Sequence, residues 1–202
     1  MAFVYHLVPN PMLGSVLVPL EDLGRVSPAA FEAQQAKYTR REAVLDARIT
    51  ADGLRFNATV HCAPLHPRHL YRLRAHMGLL PPTPAATEEP PGWRPGMFFE
   101  IPLERIRQHP AYWYRWETPW INGYPGEDVP SIPPLDEFEP FDHRRYRELS
   151  EVPHAHIDYL HRTTRAGKRP LMFVHIPHVL VAGPIDTSGL RIVRWEDPAG
   201  IG

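Results

Sequence analysis

The 202-residue sequence predicts an α+β fold with a mixed or antiparallel sheet. Three observations point there: apolar strand-like runs are frequent and short, helical patterns are few and mostly early, and 25 prolines break up the chain. Proline locks φ and removes a backbone donor, so this content limits helix and central-strand length and predicts long ordered loops.

The elements follow in order. Residues 3–8, Phe-Val-Tyr-His-Leu-Val, read as a first strand, stopped by Pro9-Asn10-Pro11. A second, short strand is expected over Ser15–Val18. Ser27 is a natural N-cap and Pro28 fits the first helical position, so a helix is expected from Pro28 to about Arg48. Ala51-Asp52-Gly53 reads as a turn. Leu54 to Cys62 alternates apolar and polar residues and reads as a strand. A helix is expected from Pro67 to Met77, ended by Gly78. Met97–Ile101 reads as a strand, Pro102–Gln108 as a helical turn, and the aromatic stretch Ala111–Trp120 as extended chain. Residues 143–149 and 153–165 read as short helices, and 171–176 and 178–181 as strands with a bend at Pro177. Ile185–Trp195 reads as a loop and a last strand. Proline-rich loops are expected near 81–95 and 121–142, within one domain spanning 1–202. No period of 20–50 residues repeats.

Composition excludes several classes. The formal net charge is −1, so no global basic field is available to hold a nucleic acid. Cys62 is the only cysteine, which rules out an internal disulfide framework. The N-terminal residues lack the pattern of a secretion signal, and no apolar run reaches 18 residues. The expectation is a cytoplasmic protein with no membrane segment.

Phosphate loops, dinucleotide glycine turns, the nucleophile elbow and the His-Glu-x-x-His zinc motif are absent. Cys62 follows His61, but neighbours on a strand face opposite ways, which argues against a thiol–imidazole pair. The chemistry-bearing residues are the 12 histidines and the aromatics. His61, His66 and His69 form one group, His154, His156 and His161 a second, and His175 with His178 a third. None is spaced like a recognisable metal motif, and no metal ligand is assigned. His6, His61 and His175 each sit among apolar residues of an expected strand, where a buried ring needs a hydrogen-bond partner. Either each is satisfied locally or they converge on one site. The aromatics between Tyr112 and Trp120 suit either a core or a stacking surface. Lys37 to Glu42 and Lys168-Arg169 offer basic positions for phosphates or a solvated surface.

Several of these segments resemble ADP-ribosyltransferase-like domains. Tyr5-His6-Leu7-Val8-Pro9 resembles their first strand, Thr59 to Pro64 their second core strand, Met97 to Ile101 a later one, and Pro177 to Ile185 the end of the DNA-modifying toxins of that group. The whole chain also resembles an uncharacterised bacterial family that begins Tyr-His-Leu-Val-Pro and contains Lys-Tyr-x-x-Arg-Glu. The first resemblance implies a split sheet and binding of NAD or a related nucleotide, with transfer of ADP-ribose to a protein or nucleic-acid target. In that role His6 would hold the ribose, Tyr38 or Tyr71 would stack on the nicotinamide, and Arg41 or Arg169 would meet the diphosphate. His61 and His175 would share the cofactor site. Where the toxins carry their catalytic glutamate this chain has His178, and a neutral imidazole is a poor substitute for a carboxylate beside an oxocarbenium-like ribose. Glu100 or Glu139 would then have to supply the acid, with His178 and Glu100 the catalytic candidates. Two other readings stand beside this one: a non-catalytic binding module of unknown ligand, and a histidine-ligated metal-dependent hydrolase.

Overall fold

A computed structural model describes residues 2–10, 12–38, 42–80, 92–118 and 132–197. The described chain is α+β, with five α-helices and three antiparallel sheets.

The first sheet holds β1 (Phe3–Asn10), β4 (Gly92–Pro102) and β9 (Arg191–Arg194), with β4 central. The second pairs β2 (Val16–Leu17) with β8 (Ile185–Asp186). The third runs in the order β3 (Thr59–Cys62), β7 (His178–Ala182), β5 (Ala111–Tyr114), β6 (Phe138–Pro140). Strand β1 meets the end of β3 at a single isolated bridge. There Tyr5 and Ala63 exchange two backbone hydrogen bonds of 2.8 Å. Beyond that bridge β1 continues along β4 while β3 continues along β7, so the two sheets share one end and part.

Alternation sorts the third sheet into two faces. Val60, Cys62, Val179 and Val181 point into a core with Val4, Val8, Phe99 and Ile101 from the first sheet. Leu180 and Tyr114 point the other way, into a core with Phe56, Tyr159, Leu160 and Val174. Helices α3 (Pro67–His76) and α5 (His154–Arg165) flank these sheets, and α4 (Leu103–Ile106) follows β4. The buried face of α5 is His156, Tyr159, Leu160 and Thr163, a helical repeat. Two further helices, α1 (Leu20–Val26) and α2 (Pro28–Gln35), form a pair with no fully buried residue in either.

Several expectations are corrected. The helix from Pro28 begins as expected, with the Ser27 hydroxyl accepting from the Ala30 amide at 3.3 Å, but it ends at Gln35. Beyond it Val44, Ala47 and Ile49 are all buried in one core, and their spacing does not fit one helical stripe. The strand expected from Leu54 starts only at Thr59, because Phe56–Ala58 forms a 3-10 turn. Of the loop expected over 81–95, residues 81–91 lie outside the described residues, and residues 92–95 belong to β4. Pro95 falls where the β1–β4 register breaks, between the Leu7–Phe98 and Pro9–Trp93 pairs, and Pro102 ends the strand. Within 132–142, a 3-10 turn at Leu135–Glu137 and β6 replace an expected loop. Residues 143–149 are not helical: Asp142 accepts from the Arg144 amide to make a turn, and Leu149 then bridges Leu65. Residues 171–176 are a series of bends and turns, not a strand.

Candidate functional site

A cleft of about 630 Å³ lies where the first and third sheets part, closed on one side by α1 and α2. Its size suits a small organic ligand or part of a larger one. Three strands deliver histidines to it: His6 from β1, His61 from β3 and His178 from β7. In the β3–β7 register His61 lies opposite Leu180, and His178 is two residues from Leu180, so both rings share one face of the sheet. Their centroids are 6.3 Å apart. Around them stand Tyr5, Tyr38, Phe56, Trp116 and Phe173, with Trp116 5.2 Å from the His178 ring. The α1–α2 side adds aliphatic residues, among them Leu20 and Leu23. Among the described lining residues none carries a formal charge at neutral pH.

The backbone fixes the proton on each ring. His178 Nδ1 donates to the Ile176 carbonyl at 2.8 Å, His61 Nε2 to the Phe56 carbonyl at 3.1 Å, and His6 Nδ1 to the Leu7 carbonyl at 2.6 Å. Burial pushes the pKa of His178 down to about 3, helped by His61 beside it and opposed by the Ile176 hydrogen bond. Burial likewise pushes His6 and His61 down to about 4. All three rings are therefore neutral near pH 7. A neutral imidazole whose one N–H is spent on a carbonyl has only an acceptor left. For His61 that acceptor is Nδ1, and for His178 it is Nε2. A partner for His61 and His178 must bring donors: hydroxyl or amide N–H groups, not bare anionic oxygens.

The structure thus brings together His6, His61, His178 and Tyr38 of the expected residues. Of the other described candidates, none lines the cleft. Tyr71 packs on Trp195, ring centroids 5.8 Å apart, and does not line the cleft. Glu100, on the β4 row opposite Tyr5, pairs with Arg191 at 3.6 Å and does not line the cleft, so it is misplaced for an acid acting there. Glu139 is exposed on β6, an edge strand of the third sheet. Arg169 is exposed and outside the lining. His175 is buried behind the wall, its Nδ1 donating to the Trp116 carbonyl at 3.0 Å. Arg41 lies outside the described residues.

Sequence reasoning offered Trp116 only as one of the aromatics from Tyr112 to Trp120 and did not single it out for the cleft. The signal was the alternation Tyr112, Tyr114, Trp116: these pack against one core while Trp113 joins the opposite one. Of the other histidines, His156 is fully buried, its Nδ1 donating to the Val174 carbonyl at 2.6 Å, while His154 and His161 are exposed. Among the described residues no group of three or more His, Cys, Asp or Glu is arranged to hold a metal ion. No described helix is long and apolar enough to cross a membrane. No family model, curated protein or solved structure matches the chain.

Proposed function

We propose that the cleft binds NAD or a related nucleotide by its nicotinamide-riboside half, in an ADP-ribosyltransferase-like domain with a split sheet. The observation that carries this reading is the pair His61 and His178, two neutral acceptor rings on one sheet face with centroids 6.3 Å apart. Ribose hydroxyls and a carboxamide NH₂ are the donors such rings require. The nicotinamide ring of NAD is flat and cationic. Neutral imidazoles do not repel it, and the faces of Trp116 and Tyr38 attract it. The parting of β1 from β3 beyond the Tyr5–Ala63 bridge is what a split sheet needs. The diphosphate and adenosine would lie outside this uncharged cleft.

Titration calorimetry with NAD and its nicotinic acid analogue tests the reading. The analogue replaces the carboxamide with a carboxylate, which has no donor and brings a negative charge beside bare acceptors. NAD is expected to bind at least about tenfold more tightly, one good hydrogen bond's difference. Equal affinities, or no heat from either, would remove this reading.

A second reading has its own observation. No described lining residue is a carboxylate, and ADP-ribose transfer needs negative charge beside the ribose. This favours a non-catalytic binding module over a transferase. Binding of NAD without nicotinamide release, with or without candidate protein and nucleic-acid targets, is the expected result for the module. Nicotinamide release at a steady rate is the result for the enzyme.

A further inference from the structure

Among the described residues only two that are not glycine have a positive φ: Trp116 at 53° and His175 at 60°. Trp116 is bulky, and a left-handed backbone crowds its Cβ against the following carbonyl, whereas histidine enters this region more readily, so Trp116 is the costly one of the pair. These two residues are 59 positions apart in sequence, yet they are hydrogen-bonded to each other, His175 Nδ1 donating to the Trp116 carbonyl at 3.0 Å. The join sits at the wall of the cleft. Strained residues persist only where their surroundings over-determine them, and they gather at ligand clamps and switches.

Each side of the join is pinned separately. On the Trp116 side the buried Glu137 carboxylate accepts the next two amides, Glu117 at 3.0 Å and Thr118 at 2.6 Å. On the other side α5 holds the turn, with His156 bonded to the Val174 carbonyl and the Tyr159 hydroxyl accepting from the Leu171 amide at 2.9 Å. Between these pins the Trp116 indole packs against the Tyr114 ring at 5.4 Å, close to stacked, and against His178 at 5.2 Å.

We infer that Trp116 is a binding residue of the cleft, the aromatic wall for a flat, electron-poor ring, and that His175 is a positioning residue that latches it in place. The backbone is the sign of this role: two left-handed residues that are not glycine, one of them the bulky Trp116, meet at one hydrogen bond. The ligand class rests on the nicotinamide reading, but the latch does not.

The test therefore has a ligand-free arm. The protein is labelled with 5-fluorotryptophan, and the Trp116 ¹⁹F resonance is assigned with Trp116→Phe. In His175→Gly the hydrogen bond is lost and the backbone at 175 gains freedom, so the Trp116 line is expected to shift and broaden or split while the protein stays folded. His175→Asn is the rescue, because Asn tolerates the left-handed region and still offers an N–H donor. It is expected to restore a single sharp line. If either variant fails to fold, the other still reports, since the sharp line in Asn and its loss in Gly are each expected. An unchanged Trp116 line in His175→Gly, or a broadened one in a folded His175→Asn, overturns the latch. In the ligand arm 1-methylnicotinamide is the probe. Its affinity is expected to fall about tenfold in Trp116→Ala and in His175→Gly, and to hold in His175→Asn. A wild-type protein that does not bind the probe removes the nicotinamide reading and the assigned ring class, while the latch is still decided by the ¹⁹F line.

Discussion

His61 and His178 stand on neighbouring strands and share one sheet face, with ring centroids 6.3 Å apart, each with its N–H spent on a backbone carbonyl. Two rings this close would repel if both were charged. Burial keeps them neutral, and a charge on His61 would further resist protonation of His178.

That arrangement sets the pH dependence of stability. Burial lowers His6, His61 and His156 to about 4 and His178 to about 3, against about 6.5 in an unfolded chain. Between those limits the unfolded state binds more protons than the folded one, so stability rises with pH. The contribution is fully present above about pH 6.5 and is lost as pH falls toward 4 and 3. Each group contributes a slope of order 1 kcal/mol per pH unit in that window. Urea midpoints from pH 7.5 to 4.5 are expected to fall steadily below pH 6.5. A midpoint flat across that range would show that the rings are not held neutral.

Gly96 marks a second contact that tolerates no change. Its φ is 73°, and a Cβ there would lie 2.3 Å from Nε1 of the buried Trp195. Gly96→Ala is expected to cost about 2 kcal/mol from overpacking and backbone strain. Chemical denaturation measures the loss, with red-shifted tryptophan emission as Trp195 is displaced.

Cys62 is expected to be inert. It is fully buried in the core between the two sheets, and burial pushes its thiol up to about 12. Native protein at pH 8 should react with a thiol reagent only as fast as it unfolds, with one equivalent appearing at once in denaturant. Rapid native labelling would mean that the face carrying Val60 and Val179 is open.

Leu180 packs beneath the cleft and is fully buried in the core of Phe56, Tyr159 and Val174. Leu180→Ala is expected to cost about 2–5 kcal/mol. Because Leu180 is opposite His61, the same change should also weaken any ligand held by that ring. Urea denaturation and calorimetry on the surviving folded fraction give the two numbers.

The legible part of this fold was its local chemistry. The Ser27 cap, the Gly78 stop after α3 and the β-rich β1 and β7 runs are each fixed by neighbours in sequence, and the structure has them. Long-range packing overrode the rest. Leu171–Ile176 is apolar enough for a strand, but Val174 joins one core while Phe173 and Ile176 join others, so the segment turns to serve them all. The site was half legible for the same reason. Histidine on a strand is visible in the sequence, and His6 and His61 proved to share a cleft with His178. Whether a strand neighbour such as Glu100 faces that cleft depends on register and sheet order, which no local pattern encodes. His175 is expected on a strand, either satisfied locally or turned to a shared site; it is a turn residue whose Nδ1 donates to the Trp116 carbonyl.

The most direct test of the central claim is thermal denaturation with millimolar NAD, on the wild type and on His178→Phe, which keeps a ring and removes the acceptor. The account predicts a raised Tm for wild type, growing with concentration as mass action requires, and a much smaller rise for the variant. No rise for wild type with NAD, or equal rises in both proteins, would contradict it.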